Sequence, residues 1–457
     1  MNRLDIGDKV FATAERPAFG TLKDTKDHFE EDPTIRLINP CKPEIGKISK
    51  QILSRIVDQL RAKTKFNHWK NSNSDEVIDW FVNLDEKEKL SFVIFDIKEY
   101  YPSITETLLS DAIDWAQTLV KITPEEKDII FKAKRSLLYF EGQPWVKNKG
   151  KEKFNVTMGS FDGAETSDLC GLFLLSKIQH LGFNIGLYRD DGLGVSKFNP
   201  RQTDMKKDQL CKIFKHKYNL TVLVEVNHTQ VNFLDISLNL QTGIFKPYMK
   251  PNNHVMYVHA DSNHPPAVKK NLPQNINNRL SRISANEEVF NEAAPTYQQA
   301  LAASGYNHQL KFQPNIRSIN RNKRNRNRKV IWFNPPWSSN VKSNVGALFL
   351  RILSECFPKG HVLNKAFNRN NVKVSYRTVD NVQKIVSRHN LRIINSQQPT
   401  PPPTTCRCHY PKSPLCPILC QAKNLVYRCR VTNPNNNNVS TYTGLTSQTL
   451  MLGQTYI

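Results

Sequence analysis

The sequence predicts an α+β fold built around a central antiparallel sheet. Residues Phe92 to Phe95 form a continuous apolar run, which is typical of a strand buried on both faces. An Asp-Gly pair lies between two short apolar runs in GLYRDDGLG (186–194), and this pattern is the strongest short-range signal of a β-hairpin. The order strand, helix, helix, hairpin, helix and strands that surrounds these segments indicates a mixed architecture.

The composition indicates a nucleic-acid partner. The chain of 457 residues has 64 Lys and Arg against 41 Asp and Glu, a formal charge of +23. An excess of this size favours binding to a polyanion and says nothing about fold. The excess is uneven, because no acidic residue occurs from Ala293 to Ser354 or from Asn381 to Ile457. The length is enough for two or three domains.

The sequence carries no pattern of export or membrane insertion. No apolar core follows the basic start of MNRLDIGDKV, and no apolar run reaches 18 residues, so neither a signal peptide nor a spanning helix is predicted. The nine cysteines are not spaced like a secreted disulfide framework. We therefore expect an intracellular protein, nuclear or cytoplasmic, with no membrane partner.

Apolar spacing and capping residues predict the elements around the first strand. A helix is expected from Ile45 to about Lys63, and Asp96 ends the apolar run of the strand. Ser103 and Glu106 then have the spacing of a capping box, and apolar residues recur at helical spacing over 108–120. A carboxylate is thus expected at the exit of a buried strand.

The following region supplies the hairpin and its neighbours. A glycine-bearing turn within 154–165 precedes a long apolar helix that Gly182 ends. After the hairpin we expect a basic amphipathic helix over Met205–Tyr218, and then short strands in TVLVEV, VNFLDISLNL and GIFKPYM. From about 262 to 395 the sequence is predicted to be helical and basic.

Three aspartates in this arrangement predict a site for two Mg²⁺ ions. Asp190 and Asp191 follow Asp96 by 94 and 95 residues. Template-directed nucleotide transfer needs divalent ions, and these prefer carboxylate oxygens on a rigid frame. One aspartate at the end of a strand and two at the tip of a neighbouring hairpin provide such a frame. A tight turn without chemistry is the alternative for Asp190 and Asp191, and a helix cap is the alternative for Asp96.

At these residues the chain resembles a reverse transcriptase. FDIKEYYPSI (95–104), MGSFDGAE (158–165) and YRDDGLG (188–194) resemble three palm motifs in their usual order, and NFLDISLNL resembles the primer-grip region. Upstream, TLKDTKDHFEEDPTIRLINP (21–40) resembles the finger motifs. The resemblance covers about residues 17–390. It implies a right-hand polymerase of fingers, palm and thumb, with RNA-directed DNA polymerase activity and Asp96, Asp190 and Asp191 as the metal ligands.

The resemblance also assigns residues to nucleotide binding. Arg36 and Lys23 would meet the triphosphate, and Lys26 fits nearly as well as Lys23. Tyr101 would lie under the sugar and exclude a 2′ hydroxyl. Gly159 would let the backbone approach the template–primer. The implied partners are an RNA template, a DNA primer or target, and deoxynucleoside triphosphates.

Other roles remain open for some of these residues. Ordinary packing is the alternative for Tyr101, and an ion pair with Glu31 or Asp32 is the alternative for Arg36. For the whole chain, the alternative is a catalytically inactive relic that binds nucleic acid. An RNA-templated RNA polymerase is disfavoured by the bulk of Tyr101.

Met158 and the tail resemble the Penelope-like lineage of retroelements. Retroviral enzymes have glutamine before the glycine of the second motif, whereas methionine is usual in Penelope-like and related non-LTR lineages. Val426-Tyr427 and 441–444 resemble the two halves of the GIY-YIG nuclease motif. Such a nuclease needs a downstream arginine and glutamate, which the tail lacks, so no DNA cleavage is expected. The resemblance implies a chain truncated at both ends.

A cluster of cysteines predicts a zinc site in the tail. Cys406, Cys408, Cys416 and Cys420 lie within 15 residues, and four thiolates suit tetrahedral Zn²⁺. The spacing is not that of a standard finger, and His409 is a possible replacement for one ligand. Unliganded thiols are the alternative.

A basic run predicts a further contact with nucleic acid. Its seven cations are Arg317, Arg321, Lys323, Arg324, Arg326, Arg328 and Lys329. A solvated loop and a nuclear import signal are the other interpretations. The predicted domains are partial fingers (1–90), palm (91–250, with finger elements inserted at about 121–155), a thumb-like helical basic extension (251–395), a Pro/Thr linker (396–405), and a Cys-rich linker with a nuclease remnant (406–457).

Overall fold

A computed structural model describes the chain as two compact units, Met1–Lys329 and Val330–Ile457. The residues it describes are 18–23, 31, 33–41, 43–70, 74–135, 138–140, 143–145, 154–251, 253, 255–314, 330–341, 343–378, 386, 389–390, 393, 425–432 and 439–446. The predicted basic run at 317–329, the four cysteines of the predicted zinc site, and Lys26 lie outside the described residues.

A five-stranded sheet organises the first unit. The strands of this unit are β1 (Phe19–Leu22), β2 (Ile35–Ile38), β3 (Asn67–His68), β4 (Ser91–Ile97), β5 (Leu138–Phe140), β6 (Gln143–Trp145), β7 (Asn184–Tyr188), β8 (Asp191–Ser196), β9 (Val222–His228), β10 (Gln230–Phe233), β11 (Ile236–Asn239) and β12 (Phe245–Pro247). The central order is β3-β7-β8-β4-β9, in which only β3 and β7 pair in parallel. The predicted α+β fold with a largely antiparallel central sheet is therefore confirmed.

Helices cover both faces of this sheet. The helices of the first unit are α1 (Glu44–Thr64), α2 (Asp75–Val82), α3 (Tyr100–Ser103), α4 (Glu106–Gln117), α5 (Pro124–Ala133), α6 (Gly163–Ile178), α7 (Pro200–Lys212), α8 (Pro266–Ile283) and α9 (Glu287–Ala303), of which α8 and α9 pack together in a cluster of their own. Apolar residues of α1, α4 and α6 form the larger core on one face, and α2 packs on the other. The helix predicted from Ile45 to Lys63 is confirmed as α1.

Strand β4 lies between these two cores, as its continuous apolar run predicts. Val93, Phe95 and Ile97 point into the larger core, whereas Phe92 and Ile94 point into the smaller one. Successive side chains of a strand alternate between faces, so a strand with cores on both sides needs apolar residues at nearly every position. The strand runs one residue past Asp96, which is exposed near its end.

Three local predictions are corrected by the backbone. Ser103 is helical within α3, so the capping box with Glu106 is wrong; extended Thr105 caps α4, its hydroxyl accepting from the Leu108 N–H at 3.1 Å. The helix predicted from Met205 starts earlier because Asn199 caps α7. VNFLDISLNL forms two strands, because Leu234 (φ +54°) turns the chain between β10 and β11.

The second unit contains both strands and helix. Its elements are β13 (Ile331–Phe333), β14 (Pro336–Trp337), α10 (Val345–Cys356), β15 (Val372–Val374), β16 (Arg377–Thr378), β17 (Leu425–Thr432) and β18 (Val439–Thr446). β13 pairs in parallel with β15, and β14 with β16. The helical prediction for 262–395 is therefore wrong over these strands, whose β-branched and aromatic residues favour sheet.

Candidate active site

The strand register brings the three predicted metal ligands to one end of the central sheet. Asp96 of β4 pairs directly with Asp191 of β8. The Ile97 N–H donates to the Asp190 carbonyl at 3.0 Å, which fixes the hairpin tip against β4. Two segments that are distant in the sequence thus place three aspartates at the same end of the sheet.

Close contact between these strands depends on the glycine after the two aspartates. A Cβ at Gly192 would lie 2.2 Å from the Phe95 ring, which crosses β8 at that point. Because a side chain cannot occupy that space, glycine is required for β8 to pair with β4 in this register. The Asp-Gly pair therefore serves the packing of the hairpin and the placement of its carboxylates together.

The site is electrostatically unfavourable for its own carboxylates. Burial, reinforced by the negative charges of Asp190 and Asp96, raises the pKa of Asp191 to about 7. Burial and Asp96 also raise the pKa of Asp190, which the nearby Arg189 and Arg36 oppose. A cation bound beside these carboxyl groups would stabilise their ionised form.

Five of the predicted site residues line one cleft of about 1250 Å³. They are Lys23, Arg36, Asp96, Tyr101 and Asp190. β1 and β2 form an antiparallel pair that carries Arg36 on β2 and leads into Lys23. The cleft therefore has cationic residues from these two strands and carboxylates from the central sheet.

Tyr101 packs on the core and is also accessible from the cleft, and its predicted role against a 2′ hydroxyl stays a prediction. Its side chain packs at the edge of the larger core, and it also lines the cleft. Burial raises the pKa of the Tyr101 hydroxyl, so it stays protonated at neutral pH. The neighbouring Tyr100 is fully buried and donates to the Ser167 carbonyl at 3.0 Å, which anchors α3 to α6.

Gly159 allows a close backbone approach, to another part of the chain. It has φ +96°, and a Cβ there would lie 2.6 Å from the Asn39 carbonyl. The Asn39 N–H also donates to the Met158 carbonyl at 2.8 Å. This glycine thus joins the turn of the second motif to the end of β2; its predicted approach to a template–primer stays a prediction.

The residue types of this site suit Mg²⁺, but the three carboxylates are not arranged around one point. Asp96, Asp190 and Asp191 offer only carboxylate oxygens, the ligands that Mg²⁺ prefers. Within the described ranges, however, no three His, Cys, Asp or Glu side chains are grouped closely enough to hold a metal ion. The three aspartates therefore lie at the same end of the sheet, but their carboxylates do not converge on one point.

Two buried charge clusters beside the cleft were not predicted from the sequence. In one, Asp168 of α6 pairs with Arg189. In the other, Asp162 takes an ion pair from Lys134 and a hydrogen bond from the Ser49 hydroxyl. For Asp168, the available signal was an acidic residue within the long helix predicted to be apolar, because a buried acidic residue requires a partner.

Comparison with known proteins gives one match to a protein family. A family described as the animal helix-turn-helix domain matches residues 256–314, which contain α8 and α9. No curated protein matches the chain. No helix among the described residues is long and apolar enough to cross a membrane.

Similar solved structures include polymerases that use RNA. Apo telomerase from Candida tropicalis is 14% identical with a TM-score of 0.41, over 63% of this chain and 56% of that chain. A C-terminally truncated form is 16% identical with a TM-score of 0.36, over 44% and 45%. The RNA-dependent RNA polymerase of a human picobirnavirus is 12% identical with a TM-score of 0.41, over 69% of each chain. This chain spans about half the length of the telomerases.

Proposed function

We propose that the chain is an RNA-directed DNA polymerase, which adds deoxynucleotides to a primer 3′ hydroxyl. The observation that carries the proposal is the shared cleft. Lys23 and Arg36 come from the segment 21–40, Asp96 and Tyr101 from the first palm motif, and Asp190 from the third. All five line one cavity of about 1250 Å³. Three segments that are far apart in the sequence thus meet at one cavity, which supports the proposal that they share one site.

The residues of the cleft, together with Asp191, which pairs with Asp96 and does not itself line the cleft, divide the work of nucleotide transfer. Asp96, Asp190 and Asp191 would hold two Mg²⁺ ions, which when bound activate the 3′ hydroxyl and neutralise the leaving pyrophosphate. Arg36 and Lys23 present positive charge to the triphosphate. The Tyr101 ring, which lines the cleft, would lie under the sugar and exclude a 2′ hydroxyl. The partners proposed are an RNA template, a DNA primer or target, and deoxynucleoside triphosphates.

We also propose a mobile-element origin in the Penelope-like lineage, with a nuclear or cytoplasmic location. Met158 and the two tail segments support it. In the tail, β17 pairs with β18 so that Tyr427 lies opposite Gly444, as the two halves of one nuclease motif would. Zinc binding by the four tail cysteines stays a proposal of its own.

Primer extension on an RNA template tests the function. The assay contains Mg²⁺ and deoxynucleotides and compares the wild type with Asp190→Ala and with Asp114→Ala. Asp114 is exposed and pairs with Lys127, so it serves as a control for the loss of an ordinary aspartate. We expect extension by the wild type and by Asp114→Ala, and none by Asp190→Ala.

The second candidate is a nucleic-acid-binding protein without catalysis. The observation that favours it is that no metal-binding group is already formed among the described residues. In that case all three proteins would bind RNA with the same dependence on salt, and none would extend the primer.

A further inference from the structure

We propose that Arg189 is a positioning residue, which fixes the Asp190 carboxylate for cation binding through a tether to Asp168 and the Ala164 carbonyl on α6. The inference rests on the proposed function, because it concerns the same cation site. Arg189 occupies the variable position of the YRDD motif, directly before Asp190.

The tether consists of two contacts made by one nitrogen. Arg189 Nη1 lies 2.5 Å from Asp168 Oδ1 and donates to the Ala164 carbonyl at 2.7 Å. Both partners belong to the first turns of α6, which is almost entirely buried. The hairpin tip is thus connected to a buried helix by one guanidinium group.

The backbone of Arg189 has a conformation that is strained for a residue with a side chain. Tyr188 pairs with Asp191, so Arg189 and Asp190 are the two loop residues of the hairpin. Arg189 has φ +56°, a conformation in which glycine is the usual residue. Glycine would relieve that strain and abolish the tether.

The partner of Arg189 is a buried carboxylate with few other sources of charge balance. Asp168 is 1% exposed, and burial raises its pKa to about 6 in spite of Arg189, so it is largely ionised at pH 7.5. His68 lies 3.6 Å away, but burial lowers its pKa to about 3, so it is neutral. Glu165 and Lys70 act on Asp168 only as weaker, more distant charges. Arg189 is therefore its main countercharge.

The same stretch of α6 also holds the first palm motif. Ser167, the residue before Asp168, accepts a hydrogen bond from Tyr100 through its carbonyl. One turn of α6 therefore fixes both the residues that follow β4 and the tip that joins β7 to β8. The position of Asp190 relative to Asp96 therefore depends on this turn of helix α6.

Charge and position make opposite predictions for the loss of Arg189. The positive charge of Arg189 opposes the rise in the Asp190 pKa, so it also repels a cation at that carboxylate. If charge were its only effect, Arg189→Gly would bind a divalent cation more tightly. If Arg189 positions Asp190, the same variant binds it more weakly.

The test uses Mn²⁺ as the probe, with free Mn²⁺ followed by electron paramagnetic resonance and Asp190→Asn defining the site. We expect binding about tenfold weaker in Arg189→Gly, as is typical when a residue supporting a metal ligand is lost. Arg189→Lys, which keeps a cationic donor, should recover part of the affinity. Asp168→Asn, which preserves shape, should also weaken binding, and Asp114→Asn should not.

Kinetics and stability complete the test. In primer extension the Arg189 and Asp168 variants should lower kcat and leave the KM for deoxynucleotide unchanged. The thermal midpoint of Arg189→Gly should fall, because the buried Asp168 carboxylate loses its main countercharge, so all assays are run at a temperature at which circular dichroism shows each variant to be folded. Mn²⁺ affinity equal to or tighter than wild type in Arg189→Gly and Asp168→Asn would overturn the inference, as would no Mn²⁺ binding by the wild type. The expected Mn²⁺ pattern without any primer extension would instead refute the polymerase and keep the positioning role.

Discussion

Asp96 and Asp191 lie directly opposite each other in the antiparallel pair of β4 and β8. Like charges at opposed positions of a sheet destabilise it. The pKa of Asp191, raised to about 7 by burial and its acidic neighbours, reports that cost. The repulsion among three carboxylates at one end of the sheet destabilises the fold on its own. A cation that neutralises them would remove this cost.

Asp191→Asn should therefore separate stability from activity. Without divalent ions at pH 8, the variant should unfold at a higher temperature than the wild type, because it no longer buries an ionised carboxylate beside Asp190 and Asp96. Primer extension should fall by about 10²–10³-fold, the usual effect of removing a group that acts on charge in the transition state. Thermal unfolding followed by circular dichroism and single-nucleotide extension measure the two effects. A variant that is both less stable and fully active would contradict the expectation.

Mg²⁺ should stabilise the protein more at pH 8 than at pH 5. The folded-state pKa of Asp191, about 7, lies above its ordinary value of 3.8, so the folded protein keeps a proton that the unfolded chain loses. The contribution of Asp191 to stability therefore falls as pH rises through this range. Mg²⁺ must displace that proton below pH 7 and meets a free carboxylate above it.

The comparison with Asp191→Asn isolates this effect from other titrating groups. Asp168 has a raised pKa of about 6 and acts with the same sign, whereas His68, with its pKa lowered to about 3, loses stability as pH falls below 6.5. Subtracting the variant's thermal midpoints from those of the wild type at each pH removes both. An increment from Mg²⁺ that is equal at pH 5 and pH 8 would show that Asp191 does not bind the ion.

Tyr101→Ala should let the enzyme accept ribonucleotides. The Tyr101 ring lines the cleft from α3, and its removal enlarges the cleft that Asp96 also lines. The ratio of kcat/KM for a deoxynucleotide to that for the matching ribonucleotide should fall by about 10–100-fold, the scale of steric discrimination in a pocket. Tyr101→Phe keeps the ring and should keep the ratio. Equal discrimination by the alanine variant would assign Tyr101 to packing alone.

The sequence predicts the elements and the members of the site better than it predicts their contacts. The helix over α1 and the buried run of β4 follow from apolar spacing, and the motif order leads to Asp96 and Asp190. The pair of Asp168 and Arg189 joins residues 21 positions apart through the packing of α6 against the hairpin, which no local pattern encodes. Thr105 replaces Ser103 as a cap for a similar reason, since the backbone at Ser103 is already helical.

Gly159→Ala should destabilise the fold, although no side chain is removed. A Cβ would lie 2.6 Å from the Asn39 carbonyl, and the residue has φ +96°. Strain of this kind costs about 1–3 kcal/mol, measured as the free energy of unfolding in urea. Gly243→Ala is the control, because Gly243 also has a positive φ (+68°) but its nearest neighbour, Lys87 Cδ, is 3.9 Å away. Equal losses would show that backbone conformation, and not the contact with Asn39, sets the cost.

Lys134→Met should destabilise the protein more than the same substitution at an exposed lysine. The Lys134 side chain is 2% exposed and forms an ion pair with Asp162, which also accepts from Ser49. Removing the ammonium leaves the buried Asp162 carboxylate without its countercharge, and such a loss costs about 3–5 kcal/mol.

A double variant tests that explanation. Lys134→Met with Asp162→Leu removes both charges, so it should lose less free energy of unfolding than the sum of the two single variants. Lys132→Met is the control, because Lys132 pairs with Asp128 on the exposed face of α5, where an ion pair contributes about 1 kcal/mol or less. Additive losses in the buried pair would mean that Lys134 and Asp162 stabilise the second motif independently, through packing and through Ser49.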